Sequence, residues 1–203
     1  MDNQSQLASN IIEIYKKHGR AWTALRGQHL YEKGWLDQFL ALLPQQAEIL
    51  DLGCGSGKPI ADYLIQQGHC IMGVDSSDVM IEMARQNFPA HIWHLADMRA
   101  VQLDRVFQGV LAWDSFFHLT PDDQRQMFAQ FAECSATGTV LMFTSGPAAG
   151  EAIGEMFGDA LYHASLSQDE YRGLLAAHGF EVLKMAAEDA DCAGHTVWLA
   201  RKI

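Results

Sequence analysis

The sequence lacks an apolar run long enough to cross a membrane and carries fewer charges than most soluble chains. A bilayer span takes about 20 consecutive apolar residues, and no run in this chain approaches that length. Charged residues make up 19% of the 203 positions and apolar residues 49%, so extended disorder is not expected. A chain of this size can bury one sizeable core but not two. We therefore expect a single domain over residues 1–203.

The chain also lacks cysteine pairs spaced for metal binding and a segment with the features of a signal peptide. Its four cysteines are Cys54, Cys70, Cys134 and Cys192. Their wide separation predicts free thiols rather than a zinc site or a disulfide framework. Residues 1–5 do not have the basic-then-apolar order of a signal peptide. These absences predict a cytoplasmic protein with no metal ion and no membrane partner.

A positive charge excess is missing as well. The formal net charge of −11 argues against a nucleic acid as partner, since such binding rests on attraction to phosphates. Residues 1–33 are the exception, with five basic groups against three acids. Most of these basic groups fit a solvated helix face. The alternative left open is that Arg20 or Arg26 meets a carboxylate on a cofactor or substrate.

What the sequence does contain is an alternation of helical and strand patterns after an N-terminal helical region. Residues 5–17, 18–27 and 31–43 show helical periodicity, and Pro44 ends the last of these segments. Predicted strands then cover residues 47–52, 70–74, 91–95, 107–113, 139–143, 180–185 and 195–200. Alternating strands and helices predict an open α/β sheet, mostly parallel, with helices on both faces. Residues 145–163 are irregular and suggest a substrate lid.

The segment from Glu48 to Pro59 carries the strongest local signal. A buried strand ends in an acid, and glycines follow at alternate positions in Asp51-Leu52-Gly53-Cys54-Gly55-Ser56-Gly57. Glycine allows a sharp turn and leaves no Cβ atom in the way of a ligand. The helix that follows directs its unpaired N–H groups toward the same space. In open α/β folds this edge of the sheet holds the ligand, so the segment predicts a nucleotide-type site.

The glycine spacing distinguishes two kinds of nucleotide. The dinucleotide fingerprint is Gly-x-Gly-x-x-Gly, but here Lys58 stands at the position of the third glycine. The pattern instead resembles the first motif of class I S-adenosylmethionine-dependent methyltransferases. The resemblance covers about residues 30–200 and implies a Rossmann-like sheet of about seven strands with an antiparallel last strand. It further implies S-adenosylmethionine as methyl donor and S-adenosylhomocysteine as product.

Acids at the ends of later strands extend the resemblance. Asp75 ends the second strand, where a carboxylate can accept hydrogen bonds from both ribose hydroxyls. Asp97 follows the third strand and resembles the family position that binds the adenine amino group. Asp114 ends the fourth strand and matches the region facing the transferred methyl. The resemblance implies cofactor contacts at Asp51, Gly53, Gly55, Gly57, Asp75, Ser76, Ala96, Asp97, Met98 and Trp113.

Methyl transfer from a sulfonium needs mainly proximity, orientation and exclusion of water. Where the acceptor is a hydroxyl or a protonated amine, a base with a pKa near neutrality helps. We predict His118 and Asp114 as catalytic residues, with His163, Tyr162 and His195 as weaker candidates for the base. Aromatic rings that could steady the sulfonium by cation–π contact are Trp22, Trp113, Phe116 and Phe117. The predicted substrate pocket comprises Trp22, Arg26, Phe117, Tyr162 and His163.

The sequence therefore predicts an enzyme that methylates an oxygen or nitrogen of a small molecule. Helices within residues 1–43 would cover the cofactor site of the α/β core at 44–203. Two alternatives stay open at this stage. One is an NAD(P)-dependent oxidoreductase on a similar fold, and the other is a non-catalytic protein that binds S-adenosylmethionine.

Overall fold

The computed structural model describes residues 3–203, with side chains described from Ser5 onward. The strands are β1 (Glu48–Leu52), β2 (Cys70–Asp75), β3 (Ile92–Leu95), β4 (Phe107–Ala112), β5 (Ser135–Ser145), β6 (Gly150–Met156), β7 (Asp159–Ser165), β8 (Phe180–Asp189) and β9 (His195–Lys202). The helices are α1 (Asn3–Arg26), α2 (Lys33–Leu40), α3 (Ile60–Gln66), α4 (Asp78–Asn87), α5 (Pro121–Glu133) and α6 (Gln168–Ala177). Single 3₁₀ turns cover Phe116–His118 and Ala190–Cys192. In this described part of the chain, no helix has the length and apolarity that crossing a membrane requires.

Seven strands form one sheet in the order β3-β2-β1-β4-β5-β9-β8. β9 runs antiparallel to both of its neighbours, and the other pairings are parallel. The predicted Rossmann-like sheet with an antiparallel last strand is thereby confirmed. Strand order reverses between β1 and β4, so a crevice opens at their carboxyl ends. The glycine segment lies at this point.

The N-terminal helices differ from the prediction in their boundaries. α1 is one helix through Gly19, where the sequence predicted a break. A Cβ atom on Gly19 would stand 3.3 Å from the Met80 side chain, so this glycine serves close packing of α1 on α4. The third predicted segment is shorter than expected, since α2 ends at Leu40.

Residues 145–163 are not the irregular loop that the sequence suggested. Most of them belong to a two-stranded antiparallel hairpin formed by β6 and β7. Leu161, Tyr162 and Ala164 of β7 pack with Ile11 and Ile14 of α1 in a small separate core. Glycines along and between the strands hide the period-2 pattern in the sequence, which is why the sequence did not predict the hairpin.

α2 packs closely on the central sheet at Gly109 of β4. A Cβ atom at this position would stand 2.7 Å from Cζ of Phe39 and 3.1 Å from Cδ1 of Leu43. Phe39 is fully buried, so it has little room to move. α2 and the sheet therefore share one close-packed core.

We expect Gly109→Ala to lower the free energy of unfolding by about 1–3 kcal/mol, because the added methyl overpacks this contact. Gly34→Ala is the matched control, since Gly34 lies within α2 and a Cβ atom on it would have no heavy atom within 4 Å. Alanine there should be neutral or should stabilise by up to about 1 kcal/mol. Urea unfolding of both variants measures the difference. Equal effects of the two substitutions would contradict this packing.

Candidate active site

The carboxyl ends of β1 to β4 open into a cleft that α1 covers on one side. The turn after β1 supplies one wall, and the residues after β2, β3 and β4 supply the floor and the opposite wall. α1 contributes Ile11, Tyr15, Trp22 and Arg26 to the lining. The cleft therefore brings together residues from five separate parts of the chain.

The glycine turn needs its glycines for two physical reasons. Gly53 has a φ of +79°, and a Cβ atom there would stand 2.1 Å from Cβ of Ser115. Gly53 also donates its N–H to the Val74 carbonyl over 2.7 Å. Gly55 has a φ of +54°, and only a Met80 sulfur at 4.0 Å approaches its Cβ position. The first glycine thus allows close packing, and the second leaves space beside the cleft.

Asp75 is fixed at the end of β2 by backbone hydrogen bonds. Its Oδ2 accepts from the Gly55 N–H at 2.9 Å, and its Oδ1 accepts from the Ser77 N–H at 2.8 Å. Burial raises the pKa of Asp75, although the N–H groups of Ser77, Gly55 and Ser76 oppose the shift. Each carboxylate oxygen keeps a further lone pair for a ligand hydroxyl.

Asp51 is a buried carboxyl group in the cleft wall, only 4% exposed. Burial, followed by the negative charge of Asp75, raises the pKa of Asp51 to about 7. A nearby ligand cation would stabilise its ionised form. The pair of acids therefore suits a ligand that carries both hydroxyls and an ammonium group.

At the end of β3, Asp97 is paired with Arg99. The guanidinium donates to both carboxylate oxygens, at 3.0 Å to Oδ1 and 2.5 Å to Oδ2, and also reaches Asp123. Burial alone would raise the pKa of Asp97, but the hydrogen bonds and charge of Arg99 lower it. Ala96, Asp97 and Met98 all line the cleft, although sequence reasoning did not anticipate Arg99.

Asp114, directly after β4, has the left-handed φ of +48° that acids tolerate better than most residues. Its backbone N–H donates to the Thr144 hydroxyl at 2.9 Å. Its Oδ1 lies 2.9 Å from Nε2 of His195, and the Tyr31 hydroxyl donates to Oδ2 at 3.3 Å. Asp114 is therefore held by three hydrogen bonds, two of them to its carboxylate, while it lines the cleft.

His118 is buried and both of its ring nitrogens are engaged. Nδ1 lies 2.8 Å from the Tyr162 carbonyl, and Nε2 lies 3.0 Å from the Tyr15 hydroxyl. Burial lowers the pKa of His118 to about 4, so the ring is neutral at pH 7. Since the carbonyl can only accept, Nδ1 carries the hydrogen and Nε2 accepts from Tyr15. His118 thereby orients the Tyr15 hydroxyl.

Four side chains stack along the wall beside Asp114. The Arg26 guanidinium lies 4.2 Å from the Tyr31 ring centroid, Tyr31 stacks on His195 at 5.2 Å, and His195 stacks on Trp113 at 5.7 Å. Arg26 also forms an ion pair with the fully buried Glu32. The two ends of the stack, Arg26 and Trp113, line the cleft.

Most residues predicted from the sequence lie in this cleft. Lining the cleft are Asp51, Gly53, Gly55, Gly57, Asp75, Ser76, Ala96, Asp97, Met98, Trp113, Asp114, His118, Trp22 and Arg26. Phe117, Tyr162 and His163 are not in the lining and lie behind His118, with Phe117 and His163 in ring contact with it. Phe116 belongs to the central aromatic core, because its 3₁₀ turn points it inward.

Two basic residues and two tyrosines change the sequence-based interpretation. Arg20 pairs with Glu82 of α4 and Arg26 with Glu32, so both meet carboxylates of the protein. Tyr15 and Tyr31 were not predicted as site residues. Tyr15 fits an ordinary apolar position of α1 in the sequence, and nothing local to Tyr31 indicates its hydrogen bond to Asp114.

Comparison with known proteins agrees with this geometry. Residues 49–138 match a family model described as a methyltransferase domain. An O-methyltransferase, cnsE, of Penicillium expansum is 24% identical over 90% of this chain and 76% of its own length. The malonyl-[acyl-carrier protein] O-methyltransferase of Salmonella typhimurium is 31% identical over 63% of this chain, which spans 51% of that enzyme.

A solved structure shows the same fold over the whole chain. It is the 1,6-didemethyltoxoflavin-N1-methyltransferase of Burkholderia thailandensis, with its substrate and S-adenosylhomocysteine bound. The TM-score is 0.77 at 16% identity, covering 100% of this chain and 91% of that one. With the glycine turn and the strand-end acids in one cleft, these similarities show a methyltransferase domain in residues 49–138, on a fold that the chain shares with S-adenosylmethionine-dependent methyltransferases.

Proposed function

We propose that this protein transfers the methyl group of S-adenosylmethionine to an oxygen or nitrogen of a small-molecule acceptor. The observation that carries the proposal is the convergence of Asp51, Asp75, Asp97 and Asp114, each at or near the end of a neighbouring strand, on one cleft with the glycine turn. The relatives, which are O-methyltransferases by name, and the structural neighbour, an N-methyltransferase, support both kinds of acceptor atom.

The cleft residues fit the proposed cofactor. Asp75 would accept from the ribose hydroxyls, and the buried Asp51 would balance the ammonium of the methionine part. The open space at Gly55 would admit the ligand beside the turn. Ala96, Asp97 and Met98 would form the adenine end, with Ser76 and Trp113 as further contacts. When bound, S-adenosylmethionine supplies an electrophilic methyl group whose leaving group is an uncharged thioether.

On the acceptor side, we assign Asp114 to direct hydrogen bonding with the acceptor. His118 was expected as the base, but in its observed state it is neutral, buried and bonded at both nitrogens. We therefore propose that it acts by orienting Tyr15, with Tyr162 fixing its tautomer. This arrangement supports catalysis by proximity and orientation rather than by a strong base.

We further propose that α1 and the β6–β7 hairpin form a cap over the cleft. Lys17 and His18 of α1 bind Asp159 of the hairpin at 2.7 and 2.6 Å. The Tyr162 carbonyl of the hairpin holds His118 at the cleft. Because both parts contact site residues, the cap would exclude water from the transferred methyl.

The environment of the protein is part of the same proposal. The four cysteines are free thiols, which suits a reducing compartment such as the cytoplasm. The net charge of −11 supports a small-molecule acceptor over a nucleic acid.

We expect S-adenosylhomocysteine to stabilise the protein and NAD(P) to leave it unchanged. At about 100 times the dissociation constant, binding adds roughly 2.7 kcal/mol. Asp75→Asn should weaken binding at least tenfold, because it removes charge-assisted hydrogen bonds while preserving shape. Asp104→Asn, an exposed aspartate outside the cleft, is the control. Thermal unfolding and calorimetry provide the measurements.

Two outcomes of that experiment would count against the proposal. Stabilisation by NAD(P) alone would indicate an oxidoreductase. If the protein binds S-adenosylhomocysteine but forms no homocysteine-containing product with any acceptor in a broad screen, the non-catalytic alternative is favoured.

The neutral state of His118 predicts a specific pH dependence of stability. Its pKa of about 4 in the folded protein lies below the ordinary value of about 6.5. The contribution of neutral His118 to the free energy of unfolding is therefore fully present above about pH 6.5. It is lost as the pH falls toward 4, and the total loss is about 3 kcal/mol.

Wild type should therefore lose about 3 kcal/mol more unfolding free energy than His118→Gln when the pH falls from 7 to 4. His94→Gln, an exposed histidine, is the control and should leave the pH dependence unchanged. Urea unfolding across this range measures it. Parallel curves for wild type and His118→Gln would show that His118 is not held neutral by its environment.

A further inference from the structure

We propose that the methyl acceptor is a primary or secondary amine, bound by hydrogen bonds from its nitrogen to Asp114 and Tyr15, with His195 as the residue that positions Asp114. This inference rests on the proposed methyl transfer and narrows its acceptor. It follows from which hydrogen-bonding groups remain available at the acceptor end of the cleft.

His195 is hydrogen-bonded to Asp114, and both nitrogens of its ring are engaged. Nδ1 of His195 lies 2.8 Å from the Cys192 carbonyl, and Nε2 lies 2.9 Å from Oδ1 of Asp114. Both ring nitrogens therefore face oxygens that accept hydrogen bonds, an arrangement that suits the imidazolium form opposite a carboxylate. Asp114 then presents acceptor oxygens alone to the cleft.

The electrostatic surroundings of His195 agree with this charge state. Burial lowers the pKa of His195, but the hydrogen bond and charge of Asp114 outweigh burial and raise it. The Cys192 carbonyl and the Glu32 carboxylate act in the same direction. The other groups packed against the ring are Tyr31 and Trp113, with Arg26 beyond Tyr31.

Tyr15 is a second hydrogen-bond acceptor in the cleft. Its O–H is donated to Nε2 of His118, so its oxygen offers only lone pairs to a ligand. Burial, with the charges of Asp114 and Asp75, raises the pKa of Tyr15, which keeps the hydroxyl protonated. Tyr15, Asp75 and Asp114 all line the same cleft.

Two donor side chains near Asp114, Arg26 and Trp113, are unavailable to a ligand. The terminal nitrogens of Arg26 donate to the His29 carbonyl and to Glu32. The indole N–H of Trp113 is fully buried and finds no acceptor among the described side chains, so it is closed off from the cleft. Asp114 and Tyr15 both line the cleft, and both offer hydrogen-bond acceptor atoms to a ligand.

Two acceptors near aromatic faces match a nitrogen with several hydrogens. A primary ammonium donates three hydrogen bonds and a secondary one two, whereas a hydroxyl donates one. Trp22, Trp113 and Tyr15 line the same space and favour a cation by their ring faces. A ligand anion would meet a carboxylate and two lone pairs, so it is disfavoured.

The chemistry balances with the groups at hand. The ammonium releases one proton to water from its hydrogen bond with Asp114, which frees the nitrogen lone pair. That pair forms the new N–C bond while the carbon–sulfur bond breaks and leaves its electrons on sulfur. The product is an N-methylammonium ion that Asp114 can still accept from, together with S-adenosylhomocysteine.

The test uses full-length protein saturated with S-adenosylhomocysteine and three probe series. The first series consists of three amines: benzylamine, cyclohexylmethylamine and tryptamine. In the second series a hydroxyl replaces each amino group, and in the third a carboxylate replaces it. Calorimetry measures their binding, and S-adenosylhomocysteine release from S-adenosylmethionine measures turnover. We expect at least one amine to bind tenfold or more tightly than its alcohol, with no carboxylate binding. Asp114→Asn should abolish this preference, and Asp104→Asn should preserve it.

Several results would overturn the proposal. They are equal binding of amine and alcohol, binding of a carboxylate, an unchanged preference in Asp114→Asn, and no binding of any amine while S-adenosylhomocysteine binds. If the wild-type protein does not bind S-adenosylhomocysteine, the proposed function itself is overturned. Failure of the amine proposal and failure of the proposed function are therefore distinguishable.

The role of His195 has its own readout. Histidine-nitrogen NMR, assigned with His195→Gln, should show both His195 nitrogens protonated at pH 7. In Asp114→Asn the same ring should be neutral at pH 7, because its partner charge is gone. His195→Gln should raise KM for the bound amine more than it lowers kcat. A neutral His195 ring in the wild type would remove the positioning role.

Discussion

The close approach of the turn after β1 to the residues after β4 is the constraint on which the rest of the site depends. Gly53 and Ser115 are so near that a single added carbon would overlap the serine side chain. Ser115 also donates its hydroxyl to the Leu52 carbonyl at 2.7 Å. These contacts fix the ends of β1 and β4 against each other where the strand order reverses. Asp51 and Asp114 thereby reach the same cleft, although they follow different strands.

The proposed cap depends on this fixed edge. α1 packs on α4 through Gly19 and Met80 and on the hairpin through Ile11, Ile14 and Tyr162. His118 then links the β4 end to both parts of the cap, to α1 through the Tyr15 hydroxyl and to the hairpin through the Tyr162 carbonyl. A change in how α1 is seated would therefore alter the hydroxyl that faces the cleft. In this way the packing of the cap and the chemistry of the cleft are coupled.

Charge in the site is arranged as paired groups at different depths. Arg26 forms an ion pair with the buried Glu32, and His195 faces Asp114. Tyr31 lies between Arg26 and His195 as a stacked ring. An unpaired buried charge would be costly, so each of these two acids has its own base. Asp51 is different, because burial and Asp75 raise its pKa to about 7. This leaves a buried acid that a bound cation would stabilise.

The sequence by itself determined the sheet, the glycine turn and the strand-end acids. These features follow from local patterns: apolar runs for buried strands, glycines for the turn, and acids where parallel strands end at one edge. The spacing around Lys58 also favoured a sulfonium cofactor over a dinucleotide, and the match to a methyltransferase domain agrees with it. The sequence did not predict the hairpin at residues 150–165, because its glycines mask the alternation of apolar and polar residues.

Only the tertiary structure decided how the acceptor end is built. Tyr31 and His195 are 83 and 81 residues from Asp114 in sequence, and Tyr15 is 103 residues from His118. Such pairings leave no local signal, since each residue alone fits an ordinary helix, loop or strand position. The sequence could name His118 as a base, but its protonation state depends on burial and on two partners from other elements. The glycine turn thus fits the proposed methyl donor, while contacts between distant segments position the polar groups of the cleft.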